Sequence, residues 1–272
     1  MVADRNNLPH DNAAGFMIMA QIANDALFNC FRIPPPYEVN ASTKRSLVIW
    51  GTVTSVGMAM NQLARVSRIG SIIVTASPKR HDYLKTLDAT HCFNYSGQGT
   101  VESIQTIFRE ADDGPIWGLN AIQTVSIPDS QTLLARSIPK ANKDKPDIYL
   151  ATFRGLHGWT TFGPCFNLRN GQRLEIPARL DESDRMWKAL AWKFEHFGEE
   201  YQAPLLRVFK CTAIKELENS KAAGKGVFGK LVLAHPWERE ECCVNGSVSW
   251  TSVRQVTRLS DPKPNASIAT IK

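Results

Sequence analysis

Apolar positions in this chain follow two spacings. Phe16, Ala20, Ile22, Ala23, Leu27 and Phe31 recur at helical intervals, which predicts a helix over residues 13–31 with a broad apolar face. The run Ile33-Pro-Pro-Pro36 stops it, because proline has no amide donor and biases the residue before it away from helix. A rigid connector is expected there.

Leu47-Val-Ile-Trp50 is an unbroken apolar run of strand length, and after a turn Val56, Met60, Leu63 and Ala64 share one side of a second helix. Ile72-Ile-Val-Thr75 predicts the next strand, residues 81–87 a helix, and Cys92-Phe-Asn-Tyr95 a third strand. Apolar runs at residues 119–122 and 148–151 predict two more, and Leu231-Val-Leu233 a sixth. Strands alternating with helices at this spacing imply parallel pairing through right-handed crossovers: an α/β fold built on a doubly wound parallel sheet, covered on both faces. Within residues 186–197, Trp187, Leu190, Ala191, Phe194 and Phe197 form an aromatic stripe that is expected to face the core. From Trp237 onward the chain is polar and irregular, and a disordered tail is expected.

Composition changes this picture little. The 272 residues are enough for one large domain with attachments, and 43% hydrophobic with 21% charged residues is ordinary globular usage. A formal charge of +6 is spread along the chain without interleaved aromatics, which argues against nucleic acid and suits ligands that carry phosphate. Six cysteines lack the paired spacing of a zinc site, so no zinc or other metal is expected. No secretory leader and no apolar run of membrane-spanning length is visible, so the expected setting is a reducing cytoplasm, away from membranes.

Chemistry concentrates after the first strand. Gly51-Thr-Val-Thr-Ser-Val-Gly57 is a glycine-bracketed turn leading into a helix N-terminus, where backbone amides can hold a pyrophosphate. The spacing departs from G-x-G-x-x-G, and a purely structural tight turn is the alternative. The end of the second strand bears on the choice. An NAD site places a carboxylate there for the ribose hydroxyls, whereas this chain has Thr75-Ala-Ser-Pro-Lys-Arg80. Ser77 can donate to a 2′-phosphate, Lys79 and Arg80 can neutralise it, and the cofactor expected is NADPH. A solvated basic loop is the competing reading.

These segments, together with His91-Cys-Phe-Asn-Tyr95 and Gly226-Val-Phe-Gly-Lys-Leu-Val232, resemble those of the zinc-independent medium-chain dehydrogenase/reductases. They look most like the fungal trans-acting enoyl reductases that partner polyketide synthases, over residues 13–236. The resemblance implies hydride delivery from NADPH to the β-carbon of an α,β-unsaturated thioester presented on a carrier protein. Matched by position, Thr54, Ser55, Val56 and Gly57 would meet the pyrophosphate, and Ser77, Pro78, Lys79 and Arg80 the 2′-phosphate. Tyr95 would lie beside the adenosine, with a sheet-end aromatic as its plain alternative. Val227 and Phe228 would lie near the nicotinamide. Met19, Gln21 and Asn24 match a segment that lines the acyl pocket, although a buried amphipathic helix would read the same way.

The organisation implied is an N-terminal helix and Pro-rich connector at 1–45, a Rossmann-type NADP-binding domain with its closing segment at 46–236, and an irregular tail at 237–272. Family members carry a β-barrel domain ahead of the matched segment, which closes over the nicotinamide. A chain starting after it would have half a cleft, so a catalytically silent nucleotide-binding or interaction module that docks on a synthase stands as the alternative. Thr52 replaces the usual glycine after Gly51 and is expected to weaken binding, and Asn61 puts a polar group on a helix face that is normally apolar. The histidines His10, His81, His91, His157, His196 and His235 form no triad or metal-ligand spacing, and no residue is singled out as catalytic.

Overall fold

The structure is a computed structural model that describes residues 8–39, 43–110, 115–122, 124, 127–139, 148–152, 165–167, 171–175, 177–202, 206–210 and 230–234. Val227, Phe228 and the tail at 237–272 lie outside the described residues, as does the side chain of Phe16. Strands β1 (Thr43–Trp50), β2 (Ile69–Ala76), β3 (His91–Asn94), β4 (Ile116–Asn120) and β5 (Ile148–Thr152) form one parallel sheet in the order β3-β2-β1-β4-β5. The chain winds outward from β1 in one direction through β2 and β3, then in the other through β4 and β5. That is the doubly wound arrangement expected, with its switch point between β1 and β4.

The strands read as continuous apolar runs because helices cover both faces. Leu47, Ile49, Ile72, Val74, Trp117 and Leu119 pack under α1 (His10–Asn24) and α2 (Ser55–Val66), while Val48, Trp50, Ile73 and Ile116 pack under α4 (Thr100–Glu110) and α5 (Ser130–Ser137). A short α3 (His81–Thr86) follows β2. The first helix continues through a π-helical turn, Asp25–Cys30, and its Ala20, Ala23, Leu27, Phe28 and Phe31 belong to the same core as β1. The N-terminal helix is therefore an integral layer of the domain, with no break in packing at residue 45.

Two expectations need correction. The sixth strand exists, as β9 (Lys230–Ala234), but it pairs in parallel with β8 (Leu206–Lys210) in a sheet of its own. A further hairpin joins β6 (Cys165–Asn167) to β7 (Arg173–Glu175). Helix α6 (Leu180–Glu195) turns Met186, Ala189, Leu190 and Lys193 inward, and leaves Trp187 47% exposed. Trp187 is two positions from Ala189 and so lies well around the helix from the buried face. Phe194 and Phe197 do pack against the core from its margin.

Candidate functional site

Sheet geometry puts the candidate residues at one edge. β1 ends at Trp50 opposite Thr75 of β2 and Asn120 of β4, and Ala76 of β2 pairs with Asn94 of β3. The loops leaving β1, β2 and β3 consequently emerge side by side at the carboxyl end of the sheet, where doubly wound folds bind ligands.

The loop after β1 is built for close approach. Gly51 has φ +81°, and a Cβ there would stand 2.5 Å from the Ile122 side chain. A Cβ on Gly57 would lie 2.7 Å from Thr52 Cα, so the first turn of α2 rests directly on the main chain of the loop. Thr54 caps the helix: its Oγ1 accepts from the Gly57 amide at 3.1 Å, and its carbonyl accepts from Met58 at 2.9 Å. Helix geometry leaves the amides of Ser55 and Val56 without an intrahelical acceptor, aimed out of the N-terminus at the positive end of the macrodipole. A cradle closed to any side chain and lined by open amides fits a pyrophosphate. Thr52, expected to disturb the turn, is fully buried and donates from Oγ1 to the Ile49 carbonyl at 2.8 Å.

Past β2, Ser77 precedes a turn of 3-10 helix, Pro78–Arg80, with Pro78 and Lys79 exposed and Ser77 and Arg80 partly buried. The Arg80 amide donates to the Ser77 carbonyl at 2.9 Å, and the His81 ring, through Nε2, contacts the Ala76 carbonyl at 3.1 Å. These bonds fix the main chain that carries Lys79 and Arg80 just past the end of β2, and no carboxylate occupies residues 75–80. At the end of β3, Asn94 Oδ1 accepts from the Ser96 amide and hydroxyl, and the turn this makes leaves Tyr95 half exposed. Thr54, Ser55, Val56, Gly57, Ser77, Pro78, Lys79, Arg80 and Tyr95 therefore share one edge of the sheet. Val227 and Phe228 cannot be placed relative to them.

The α1 segment behaves differently. Met19 and Gln21 are partly buried, whereas Asn24 is fully buried and engaged: its Oδ1 accepts from Lys193 Nζ at 2.6 Å and its Nδ2 donates to the Met186 carbonyl at 3.3 Å. Lys193 also donates to the Ala20 carbonyl and lies over the Tyr201 ring, and burial holds its ammonium well below the usual lysine range. Asn24 thus joins α1 to α6 in this structure and presents nothing to a ligand. Asn61, also fully buried, donates from Nδ2 to the Leu87 carbonyl at 2.8 Å, while its Oδ1 has no partner among the described residues.

Neither Cys30 nor Cys92 is poised as a nucleophile. Desolvation, then Asp25, pushes the Cys30 thiol up to about 11, and desolvation raises Cys92 as well. Among the described residues no three His, Cys, Asp or Glu side chains gather as metal ligands, and no helix is long and apolar enough to cross a membrane. Thr75 is the residue that sequence reasoning passed over. Its signal was a hydroxyl at the end of an otherwise aliphatic strand, and it accepts from the Gly51 amide through Oγ1 at 3.0 Å and from the Thr52 amide through its carbonyl at 3.1 Å.

No protein-family model matches the chain. It is 28% identical over 126 residues to the trans-enoyl reductase himH of Aspergillus japonicus, covering 46% of this chain and 34% of that protein. It is 24% identical over 197 residues to a zinc-type alcohol dehydrogenase-like protein of Schizosaccharomyces pombe, covering 68% of this chain and 55% of the other. The chain thus spans between a third and just over half of the length of these relatives. Among solved structures, the CurK enoyl reductase superposes with a TM-score of 0.54 at 16% identity, over 86% of this chain and 65% of that one. At such identity the superposition speaks for the fold alone. The relatives of this chain are fungal proteins named as trans-enoyl reductases, dehydrogenases and a zinc-type alcohol dehydrogenase-like protein, and the fold it carries is that of the CurK and JamJ enoyl reductases.

Proposed function

We propose that this chain is the nucleotide-binding part of an NADPH-dependent enoyl reductase, acting in trans on an α,β-unsaturated thioester of a polyketide chain held on a carrier protein. One observation carries the reading: the open Ser55 and Val56 amides and the carboxylate-free loop with Lys79 and Arg80 lie on adjacent strand ends, which supports a pyrophosphate at the first and a 2′-phosphate at the second. In this reading Thr54, Ser55, Val56 and Gly57 hold the pyrophosphate, and Ser77, Pro78, Lys79 and Arg80 hold the 2′-phosphate. Tyr95 lies against the adenosine, Val227 and Phe228 reach the nicotinamide, and Met19 and Gln21 border the acyl chain.

When bound, NADPH supplies the hydride for the β-carbon, and the chemistry belongs to the cofactor. The protein's part is to fix the dinucleotide against the helix N-terminus and to select the phosphorylated form through the two cations. A reducing, cytoplasmic setting without metal suits this chemistry. A second reading, a catalytically silent nucleotide-binding module that docks on a synthase, is favoured by the state of Asn24, whose polar groups are engaged with Lys193 and Met186. Incubation of the purified chain with NADPH and a crotonyl thioester, followed by loss of nicotinamide fluorescence, decides between them. Oxidation that depends on thioester supports the reductase, and saturable NADPH binding without oxidation supports the silent module.

A further inference from the structure

The loop between β1 and α2 lacks the second glycine that would let it turn without help, and three hydroxyl residues shape it. Thr52 Oγ1 donates back to the Ile49 carbonyl, Thr54 Oγ1 takes the Gly57 amide, and Thr75 Oγ1, contributed by the neighbouring strand, takes the Gly51 amide. The third bond is of a different kind. Successive amides of a regular strand point to opposite neighbours. Here the amides of Gly51 and Thr52 both reach Thr75, at 3.0 and 3.1 Å, because φ +81° at Gly51 rotates the chain out of the strand. A single residue therefore holds the start of the turn twice, once by its side chain and once by its carbonyl. Gly51 and Thr75 are both buried, so no water stands ready to replace a lost acceptor.

Thr75 also sits next to the other half of the nucleotide edge. Ala76 follows it, its carbonyl engaged by the His81 ring, and Ser77 then opens the basic turn. Displacing the chain at Thr75 would move the Ser55 and Val56 amides and the Lys79 and Arg80 side chains relative to each other. We infer that Thr75 is a positioning residue for the dinucleotide, clamping the Gly51 turn to the end of β2 and so setting the spacing between the pyrophosphate amides and the 2′-phosphate loop. The inference rests on the proposed nucleotide-binding reading and adds to it a residue that touches no ligand.

The test uses the full chain with Thr75→Val, which preserves shape and removes the acceptor, and Thr75→Ser, which preserves the acceptor. NADPH and NADH affinities are read by nicotinamide fluorescence, and thermal unfolding is followed alongside. Thr75→Val should weaken NADPH by roughly tenfold and NADH by less, because only NADPH spans both the pyrophosphate amides and the 2′-phosphate loop, and Thr75→Ser should bind within about twofold of the wild type. If Thr75→Val does not fold, Thr75→Cys, a poor acceptor of similar size, must show the same unequal weakening, and equal loss of the two nucleotides overturns the spacing role. Wild-type affinity in the variant that lacks the acceptor, or a serine variant as weak as the valine one, overturns the inference while leaving nucleotide binding intact. A wild-type chain that binds neither nucleotide overturns the underlying reading and this inference together.

Discussion

The nucleotide edge and the α1–α6 seam are both rich in polar groups, and they use them in opposite ways. At the edge, helix α2 begins with amides that its own geometry cannot satisfy, and of the flanking cations Lys79 is exposed and Arg80 partly buried. At the seam, Asn24, Lys193 and the carbonyls of Ala20 and Met186 satisfy one another in the interior, and Arg185 adds a bond to the Phe28 carbonyl at 3.0 Å. A site needs groups left open toward its ligand, and a seam needs them closed. The same kind of residue, a polar side chain on an amphipathic helix, therefore says little about function until its partners are known.

The sharpest way to break the edge is to fill its cradle. Gly57→Val should cost about 3 kcal/mol in urea unfolding, since its side chain would press on the Thr52 main chain 2.7 Å away, and should abolish nucleotide binding. A variant as stable as the wild type would mean that the helix does not rest on the loop. Next in size, Lys79→Ala combined with Arg80→Ala should weaken NADPH by tenfold or more, on the order of a lost charged hydrogen bond, and leave NADH almost unchanged. Equal loss of both cofactors would remove the 2′-phosphate assignment.

The seam yields a pH-dependent effect. Burial lowers the Lys193 ammonium well below its ordinary value of 10.5, so between the two values the unfolded chain binds a proton that the folded chain does not, and stability rises with pH. That contribution is complete above 10.5 and is lost as the pH falls toward the folded-state value, with a slope of at most about 1.4 kcal/mol per pH unit. Tyr201 beside it is shifted upward by burial, so above its ordinary value of 10.0 the unfolded chain loses a proton that the folded chain keeps and stability falls, and the Lys193 slope is read below that pH. Lys193→Met should remove the slope when unfolding is measured from neutral to alkaline pH, and an unchanged slope would show that Lys193 is charged in the fold. Smallest is Asn61→Leu. It removes a buried oxygen with no partner along with one hydrogen bond, and thermal unfolding should move by less than about 1 kcal/mol.

Much of the architecture was legible because burial on both faces writes itself as apolar runs: β1, β2 and β5 stand where Leu47-Val-Ile-Trp50 and its counterparts suggested, whereas β4 begins three residues before the run expected at 119–122 and ends at Asn120. Helix α4 went unread although Val101, Ile104, Ile107 and Phe108 recur at helical spacing and pack toward the core. Trp187 misled for a different reason. Aromatic bulk at helical spacing marks a stripe without saying which side of it meets the core. The grouping of residues at the proposed nucleotide edge was legible because they follow consecutive strands and fall together by topology. The Asn24–Lys193 bond spans 169 positions, and the burial of a lysine there is written in no local pattern. Thr75 shows the intermediate case, a residue whose position could be read and whose hydrogen bonds could not.

The central claim is that the edge formed by β1 and β2 holds a phosphorylated dinucleotide. Titration of the purified chain with NADPH and with NADH, followed by nicotinamide fluorescence, tests it most directly. The account predicts saturable binding of NADPH with NADH at least tenfold weaker, roughly the worth of the charged contacts to a 2′-phosphate. Absence of binding to either nucleotide, or a preference for NADH, would contradict it.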